Sequence, residues 1–283
     1  MVDRRSVIRA VFVGVLSGSL NYLFDPHQSP GDFIQALYPA RDFLMNQPPL
    51  ARHILGYVPS PLTITPLGLP FSFMSPQLAG ALWFGVVAAL LVWVQRQRPV
   101  WPWVFSACFF EDTIYRQYAP LLWVLAQTDL SLVGLLIKPH TALPLIIRRP
   151  GRYWLSGLIV VIVGLWSLAV FGWDWPLVWL RQLGTYTGRS PMTTLLGLGA
   201  FGLAVWSRQW LIVAYCVVPV RGLYDLLPVF GEFRRVRSQW LGFGASWLAA
   251  LWVDSNDRIL VFLSASLIIL LFDKTSPDAL SGP

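Results

Sequence analysis

Charge is what this chain has least of. Asp, Glu, Lys and Arg make up only 12% of its 283 residues, against about a quarter in a soluble domain, and that shortfall excludes a water-soluble globule. Lysine is almost absent: Lys138 and Lys274 are the only two, so every other basic residue is arginine. The two cysteines, Cys108 and Cys216, lie inside apolar runs with no metal-type spacing and read as small core side chains rather than as a disulfide. The three histidines, His27, His53 and His140, form no His-Glu-x-x-His pair. A metal is therefore not expected, an outer-side cation on Glu111, Asp112 and Asp32 being the weaker reading. The chain also lacks a Gly-rich phosphate loop, a dinucleotide fingerprint and a Gly-x-Ser-x-Gly elbow. Those absences argue against nucleotide chemistry, and no cofactor is expected.

What is present is apolar: 55% of the residues, including 15 Trp and 17 Phe, with a mean hydropathy of +0.58. The excess runs through the whole length, so it is not one anchor beside a soluble domain. The expectation is an all-α polytopic membrane protein with a single transmembrane domain, residues 1–272, and a disordered cytoplasmic tail, 273–283. At roughly 20 residues per crossing, about eight to ten segments fit. The net charge of +7 would suit nucleic acid only as a basic stripe on a solvated surface. Here the arginines fall in clusters between apolar runs, so membrane lipids and not nucleic acid are the expected surroundings.

Those clusters set an orientation. Arg4, Arg5 and Arg9 precede an apolar run over 10–24 with no Ala-x-Ala-like cleavage site, which reads as a retained first helix with a cytoplasmic N-terminus. Arg96 and Arg98, the arginines at 148, 149 and 152, Arg208, the arginines at 234, 235 and 237, and Lys274 are assigned to the same side, placing both termini in the cytoplasm of a cell-membrane protein. Plain spans are expected at 76–94, 153–171, from 193 to Arg208, at 240–253 and at 259–272, and two short hairpins complete the parity. In the first, 101–110 goes out as a half-length helix, 111–118 turns on the outer side and 119–127 returns. Residues 130–137 then go partway out, Lys138-Pro139-His140 breaks the helix, and 141–147 returns. In the second, 210–218 goes out, Pro219-Val220-Arg221-Gly222 breaks, and 226–230 returns. Proline costs about 3 kcal/mol in a helix interior, and irregular backbone at membrane depth survives only against protein or a wet cavity, so such breaks mark sites. The outer loops are 25–75, 172–192 and 254–258. In the first, residues 31–46 have helical spacing, with Phe33, Leu37, Ala40 and Leu44 on one face and Pro30 as starter. This predicts an amphipathic interfacial helix carrying Asp32 at its N-terminal end.

An ionisable group at bilayer depth costs ~2.5–3.5 kcal/mol and faces a cavity or a partner. Lys138 and Arg221 are therefore candidates for binding an anion, and Asp32 for a base. Plainer readings stand beside these. Asp32 caps the interfacial helix, Lys138 snorkels to the interface, His140 is a hydrogen-bonded core histidine, and Arg221 pairs with Asp225 four residues on. Glu111 and Asp112 are adjacent, hence point in different directions, with at least one solvated.

Three stretches carry a family resemblance. GDFIQALYPARDFLMNQPP followed by VPSPLTITPLGLPFSFMSPQLAGALWF looks like the first outer loop and second long helix of integral-membrane C-type (GT-C) glycosyltransferases. RQYAPLLWVLAQTDLSLVGLLIKPHTALPLIIRRP is similar to an order of Gln, short helix, Lys-Pro, Leu-Pro and Arg-Arg, and VVPVRGLYDLLPVF resembles a late Pro-containing break followed by a Tyr and a second Pro. Together they cover residues 30–230 and resemble glycosyltransferase family 87, the polyprenyl-phosphate-mannose-dependent mannosyltransferase-like group. The resemblance implies a GT-C fold and inverting transfer of a mannose-like sugar from a polyprenyl-phosphate donor to an acceptor on the outer face. Carried over by position, Asp32 is the base, and Lys138 binds the donor phosphate with Arg221 and Arg116 beside it. His140, Tyr224, Glu111, Asp112 and Gln117 line the sugar and acceptor pocket. The chemistry is consistent: a carboxylate takes the acceptor hydroxyl's proton, and cations steady the leaving phosphate. Two other readings stay open, a non-catalytic subunit or scaffold of a larger complex on the same fold, and a transporter of a lipid-linked substrate.

Overall fold

The structure is a computed structural model that describes residues 3–24, 31–47, 61–148, 153–183, 189–251 and 255–275. Within them the chain is all-helical, with no strand beyond an isolated bridge between Arg189 and Val220. The expected loop stretches 25–30 and 48–60, with His27, Arg52 and His53, lie outside the described residues, as do Arg149, Arg152, 252–254 and the tail from 276 onward.

Helix α1 (Arg4–Leu23) starts earlier than the apolar run, because the Asp3 carboxylate accepts from the Arg5 N–H at 3.1 Å and caps it. Arg4, Arg5 and Arg9 thus lie inside the helix rather than ahead of it. Its buried face is Ser6, Ala10, Val13, Gly14, Ser17 and Asn21, whereas Ile8, Val11, Phe12 and Val15 are exposed. That inverts the pattern of a soluble amphipathic helix. Lipid is as apolar as a protein core, so large side chains can face outward while small ones let backbones approach.

A 3-10 turn, Gly31–Phe33, leads into α2 (Ile34–Leu44). Phe33, Leu37 and Ala40 are fully buried as their spacing predicts, but Leu44 is exposed. The helix is clasped to the body rather than laid free on an interface. The Arg41 guanidinium donates to the carbonyls of Ser72, at 3.0 Å, and Met74. These close the segment that holds α3 (Thr65–Gly68) and leads to α4 (Pro76–Val94). Helices α1 and α4 cross at Gly14 and Gly85, where a Cβ on Gly14 would lie 2.7 Å from the Gly85 carbonyl oxygen. At their other end Gln77 Nε2 donates to the Tyr22 carbonyl at 2.7 Å.

Next come α5 (Trp101–Val104), α6 (Ala107–Tyr115), α7 (Ala119–Ala126), a 3-10 segment Ser131–Leu136 and α8 (Pro139–Arg148). The polar stretch 111–118, expected as a turn, is helical as far as Tyr115, because Ser106 caps α6 by accepting from the Phe109 N–H at 3.2 Å. After α9 (Trp154–Phe171), the supposed outer loop contains its own helix, α10 (Trp175–Leu183). The chain continues through α11 (Leu195–Trp206), α12 (Trp210–Val217), a 3-10 segment Leu223–Glu232, α13 (Val236–Ala250) and α14 (Ser255–Thr275). The expected tail therefore begins late: Ser238 Oγ donates to the Asp273 carboxylate and holds the last turn of α14 in place.

Three helices among the described residues are long and apolar enough to cross a membrane: α1, α4 and α9. In α9 the buried positions are Ser156 and Ser167, with Leu158, Val161, Ile162 and Leu165 exposed. In α13 they are Ser238, Gln239, Gly242, Ala245, Ser246 and Ala249. Helices that bury small and polar residues and expose leucines have found their solvent in hydrocarbon. The chain is a helical membrane protein.

Candidate functional site

The site is assembled around the turn that starts α2. Gly31 has φ +57, and a Cβ there would lie 2.6 Å from the Tyr115 carbonyl oxygen. Only glycine fits that close approach in that conformation. Two residues on, Phe33 stacks on Trp83 with ring centroids 4.7 Å apart, and Trp83 meets Tyr118 edge-on at 5.8 Å. The Tyr118 hydroxyl donates to the Asp32 carbonyl at 3.2 Å. Asp32, between the glycine and the phenylalanine, is left with its carboxylate against Gln117, whose Nε2 donates to it. The cap residue of α2 is Phe33, with no side-chain cap bond; the Asp32 side chain turns instead toward the chain after α6.

Gln117 is buried and bridges two charges. Its Oε1 accepts from Lys138 Nζ at 3.3 Å, and the same ammonium donates to Asp225 Oδ1 at 2.7 Å. Lys138 sits between the 131–136 segment and α8, its amide bonded to the Gly134 carbonyl at 3.0 Å, and so belongs to the irregular turn rather than to a helix face. It lies 4.9 Å from the Tyr224 ring centroid, within cation–π range. Asp225 takes two further bonds, from Thr141 Oγ1 at 3.2 Å and from the Arg221 backbone N–H at 3.2 Å. Arg221 itself is exposed and meets Asp225 through its backbone. The helix break at 219–222 therefore presents an N–H to the carboxylate.

Electrostatically, the row runs carboxylate, amide, ammonium, carboxylate. Burial raises the Asp32 carboxyl above its ordinary 3.8, while Lys138, the Gln117 amide and Arg221 pull it partly back.

The remaining expected residues take other places. Arg116 ends α6 with φ 50 and is almost fully buried, its guanidinium donating to the Asn21 side chain and to the Asn21 carbonyl at 3.2 Å. That arginine ties the end of α6 to the end of α1. Glu111 faces the N–H groups of Leu223 and Tyr224 at the start of the 223–232 segment and pairs with Arg258 at 3.8 Å. Asp112 points the other way and is fully buried, neither carboxylate oxygen having a hydrogen-bond partner among the described residues. Neither acid is simply solvated, as one of them was expected to be. Tyr224 is buried under Lys138 and 6.0 Å from the Tyr115 ring. His140, in the first turn of α8, is partly buried within electrostatic reach of Lys138 and Asp225. Both cysteines are buried and free.

Thr141 is the site residue that sequence reasoning passed over, and Asp225 entered it only as a structural partner of Arg221. The signal for Asp225 was its place four residues after Arg221, to which it does bond through the Arg221 N–H, but nothing local pointed to Lys138 as its ion-pair partner. Among the described residues, no group of three His, Cys, Asp or Glu is placed to hold a metal ion.

No family model, no curated protein and no solved structure matches this chain.

Proposed function

We propose that the chain is an integral-membrane glycosyltransferase of GT-C type, which moves a mannose-like sugar from a polyprenyl-phosphate donor to an acceptor on the outer face of the cell membrane. The observation that carries this reading is the row Asp32–Gln117–Lys138. A half-buried carboxylate and an ammonium, from segments far apart in sequence, meet across one glutamine at a helix break. In the proposed reaction the acceptor hydroxyl oxygen attacks the anomeric carbon and gives its proton to Asp32. The bond from that carbon to the phosphate oxygen breaks, and its electron pair leaves on the polyprenyl phosphate, inverting the anomeric centre. Lys138, with exposed Arg221 at the rim, supplies positive charge where the phosphate departs. Tyr224 and His140 flank that cation, and Gln117 orients the base. In this reading the short helices α7, α8 and α12 with their 3-10 partners are half-crossings that complete the eight to ten segments, and both termini are cytoplasmic. The test supplies purified protein with radiolabelled polyprenyl-phosphate mannose. Transfer or donor hydrolysis is expected from the wild type, and a rate unchanged in Asp32→Asn would remove Asp32 as the base.

A second reading, a carrier for a lipid-linked substrate, is favoured by one feature, the closed pairing of Lys138 with Asp225 at a helix break. Labelled lipid-linked sugar crossing a proteoliposome bilayer without chemical change would select it.

A further inference from the structure

Residues 115–118 wrap the turn that carries Asp32. The Tyr115 carbonyl lies against Gly31, the Gln117 amide donates to the Asp32 carboxylate, and the Tyr118 hydroxyl donates to the Asp32 carbonyl at 3.2 Å. The Arg116 side chain runs instead to α1. Its backbone closes α6 in the left-handed region, at φ 50 and ψ 51, with its own N–H and that of Gln117 both on the Asp112 carbonyl, the latter at 3.1 Å. Glycine is the usual residue in that place, because a Cβ makes the left-handed conformation costly. An arginine there has to be held.

The end of α1 holds it. Arg116 is 1% and Asn21 6% exposed. The guanidinium donates to the Asn21 side-chain oxygen and, at 3.2 Å, to the Asn21 carbonyl, while the Asn21 amide donates to the Thr113 carbonyl. These bonds all land on the last turn of α6, so what they fix is the way the chain leaves that helix. Asn21 is the one amide on the buried face of α1, and its neighbours Leu20, Tyr22 and Leu23 are exposed. On a helix long and apolar enough to cross a membrane, a buried amide among outward-facing apolar residues is there to bond another helix.

We infer that Asn21 and Arg116 are positioning residues: the arginine, anchored on the last turn of α1, keeps the left-handed turn at 116 and thereby holds Gln117 between the Asp32 carboxylate and the Lys138 ammonium. Their part in catalysis rests on the proposed transfer, but their hold on Asp32 is measurable without it. The Gln117 amide donates to the ionised carboxylate and so favours that form. Once the turn relaxes, Asp32 should keep its proton to higher pH. The other groups that face Asp32 are Tyr118 from the same turn, Lys138 from the break before α8, and Arg221 and Asp225 from the break after α12. All four are left in place by the variants below.

The proton on Asp32 would be followed in the full-length protein in nanodiscs by the infrared C=O stretch of its protonated carboxyl, assigned by its loss in Asp32→Asn. The midpoint of that band is expected to move up by about one pH unit in Arg116→Ala, and in the milder Asn21→Ser, which cannot reach the guanidinium. Arg116→Gly, free to take the left-handed turn, should restore most of the shift. Gln117→Leu should move the midpoint as far, and Gln117→Leu/Arg116→Ala no further, because the arginine acts through the glutamine. A midpoint unmoved in Asn21→Ser or Arg116→Ala, whichever of them folds, would overturn the inference, and so would shifts that add in the double variant. Transfer is read separately: the acid limb of the rate should move with the infrared midpoint, while KM for the donor stays within about twofold. An inactive wild type would overturn the transfer and not the hold on Asp32, which the infrared midpoints decide by themselves.

Discussion

Lys138 and Asp225 form an ion pair at 2.7 Å, with the lysine side chain 13% and the aspartate 1% exposed. Thr141 and the Arg221 N–H complete the shell of the carboxylate. A charge pair this dry is sustained by the bonds around it, because the mutual attraction alone does not repay desolvation of both ions.

Breaking that pair from either side should be costly. Asp225→Asn and Lys138→Ala are each expected to destabilise the fold by about 3 kcal/mol, and the double variant by less than the two together. Asp112→Asn should behave oppositely, holding or raising stability, since it removes a carboxylate that has no donor. Unfolding in mixed micelles, followed by tryptophan fluorescence, measures all four. Additive losses in the double variant would mean that the two charges are not coupled.

Asp32 contributes to the pH behaviour with a definite sign. Its carboxyl is raised above 3.8 in the fold, so between 3.8 and the raised value the folded state holds more protons than the unfolded one. The contribution of Asp32 to stability therefore grows as pH falls through the folded value and levels off below 3.8. In the proposed transfer, activity would run the other way, because a base works only when ionised. The acid limb of the transfer rate should lie above the range of an ordinary aspartate. Asp32→Asn should lower the rate by about 10²–10⁴-fold, and Gln117→Leu, which removes a bond to the ionised form, should move the limb to higher pH. A limb unchanged in Gln117→Leu would detach that glutamine from the base.

Gly31→Ala should damage the site without touching its chemistry. A Cβ at 2.6 Å from the Tyr115 oxygen, at φ +57, forces the turn to shift and costs about 2 kcal/mol. The bond from Gln117 to Asp32 depends on that turn, so activity should fall along with stability. Wild-type stability and rate in Gly31→Ala would show that the close approach is not needed.

The lipid-facing assignment predicts a contrast on a single helix. Gly14→Leu should cost about 2–3 kcal/mol and loosen α1 from α4, since Gly85 leaves no room for a side chain. Val15→Leu, on the exposed face one residue away, should stay within about 0.5 kcal/mol. Thermal stability in detergent compares them, and a large loss in Val15→Leu would mean that this face is packed against protein.

The membrane class and the spans α4 and α9 were legible in the sequence, because a spanning helix is a local property: enough apolar residues in an unbroken run. The break at Lys138-Pro139-His140 was legible for a similar reason, as a lone lysine beside a proline has no place in an apolar helix. The row of bonds was not. Lys138 and Asp225 are 87 residues apart and Gln117 and Asp32 are 85 apart, and no local pattern ties either pair. The helical state of Glu111 and Asp112 and the presence of α10 were hidden too, since polar residues inside a short helix look like a turn until the packing that buries them is known.

By itself, then, the sequence determined the solvent of this protein, its helical class and the positions where its helices must break, all of which follow from composition and spacing along the chain. Which charges those breaks bring together, and that Arg116 turns to Asn21 while Lys138 turns to Asp225, only the tertiary structure decided. A buried charge takes whatever counter-charge and donors the packed helices place within bonding distance, whatever their separation in sequence.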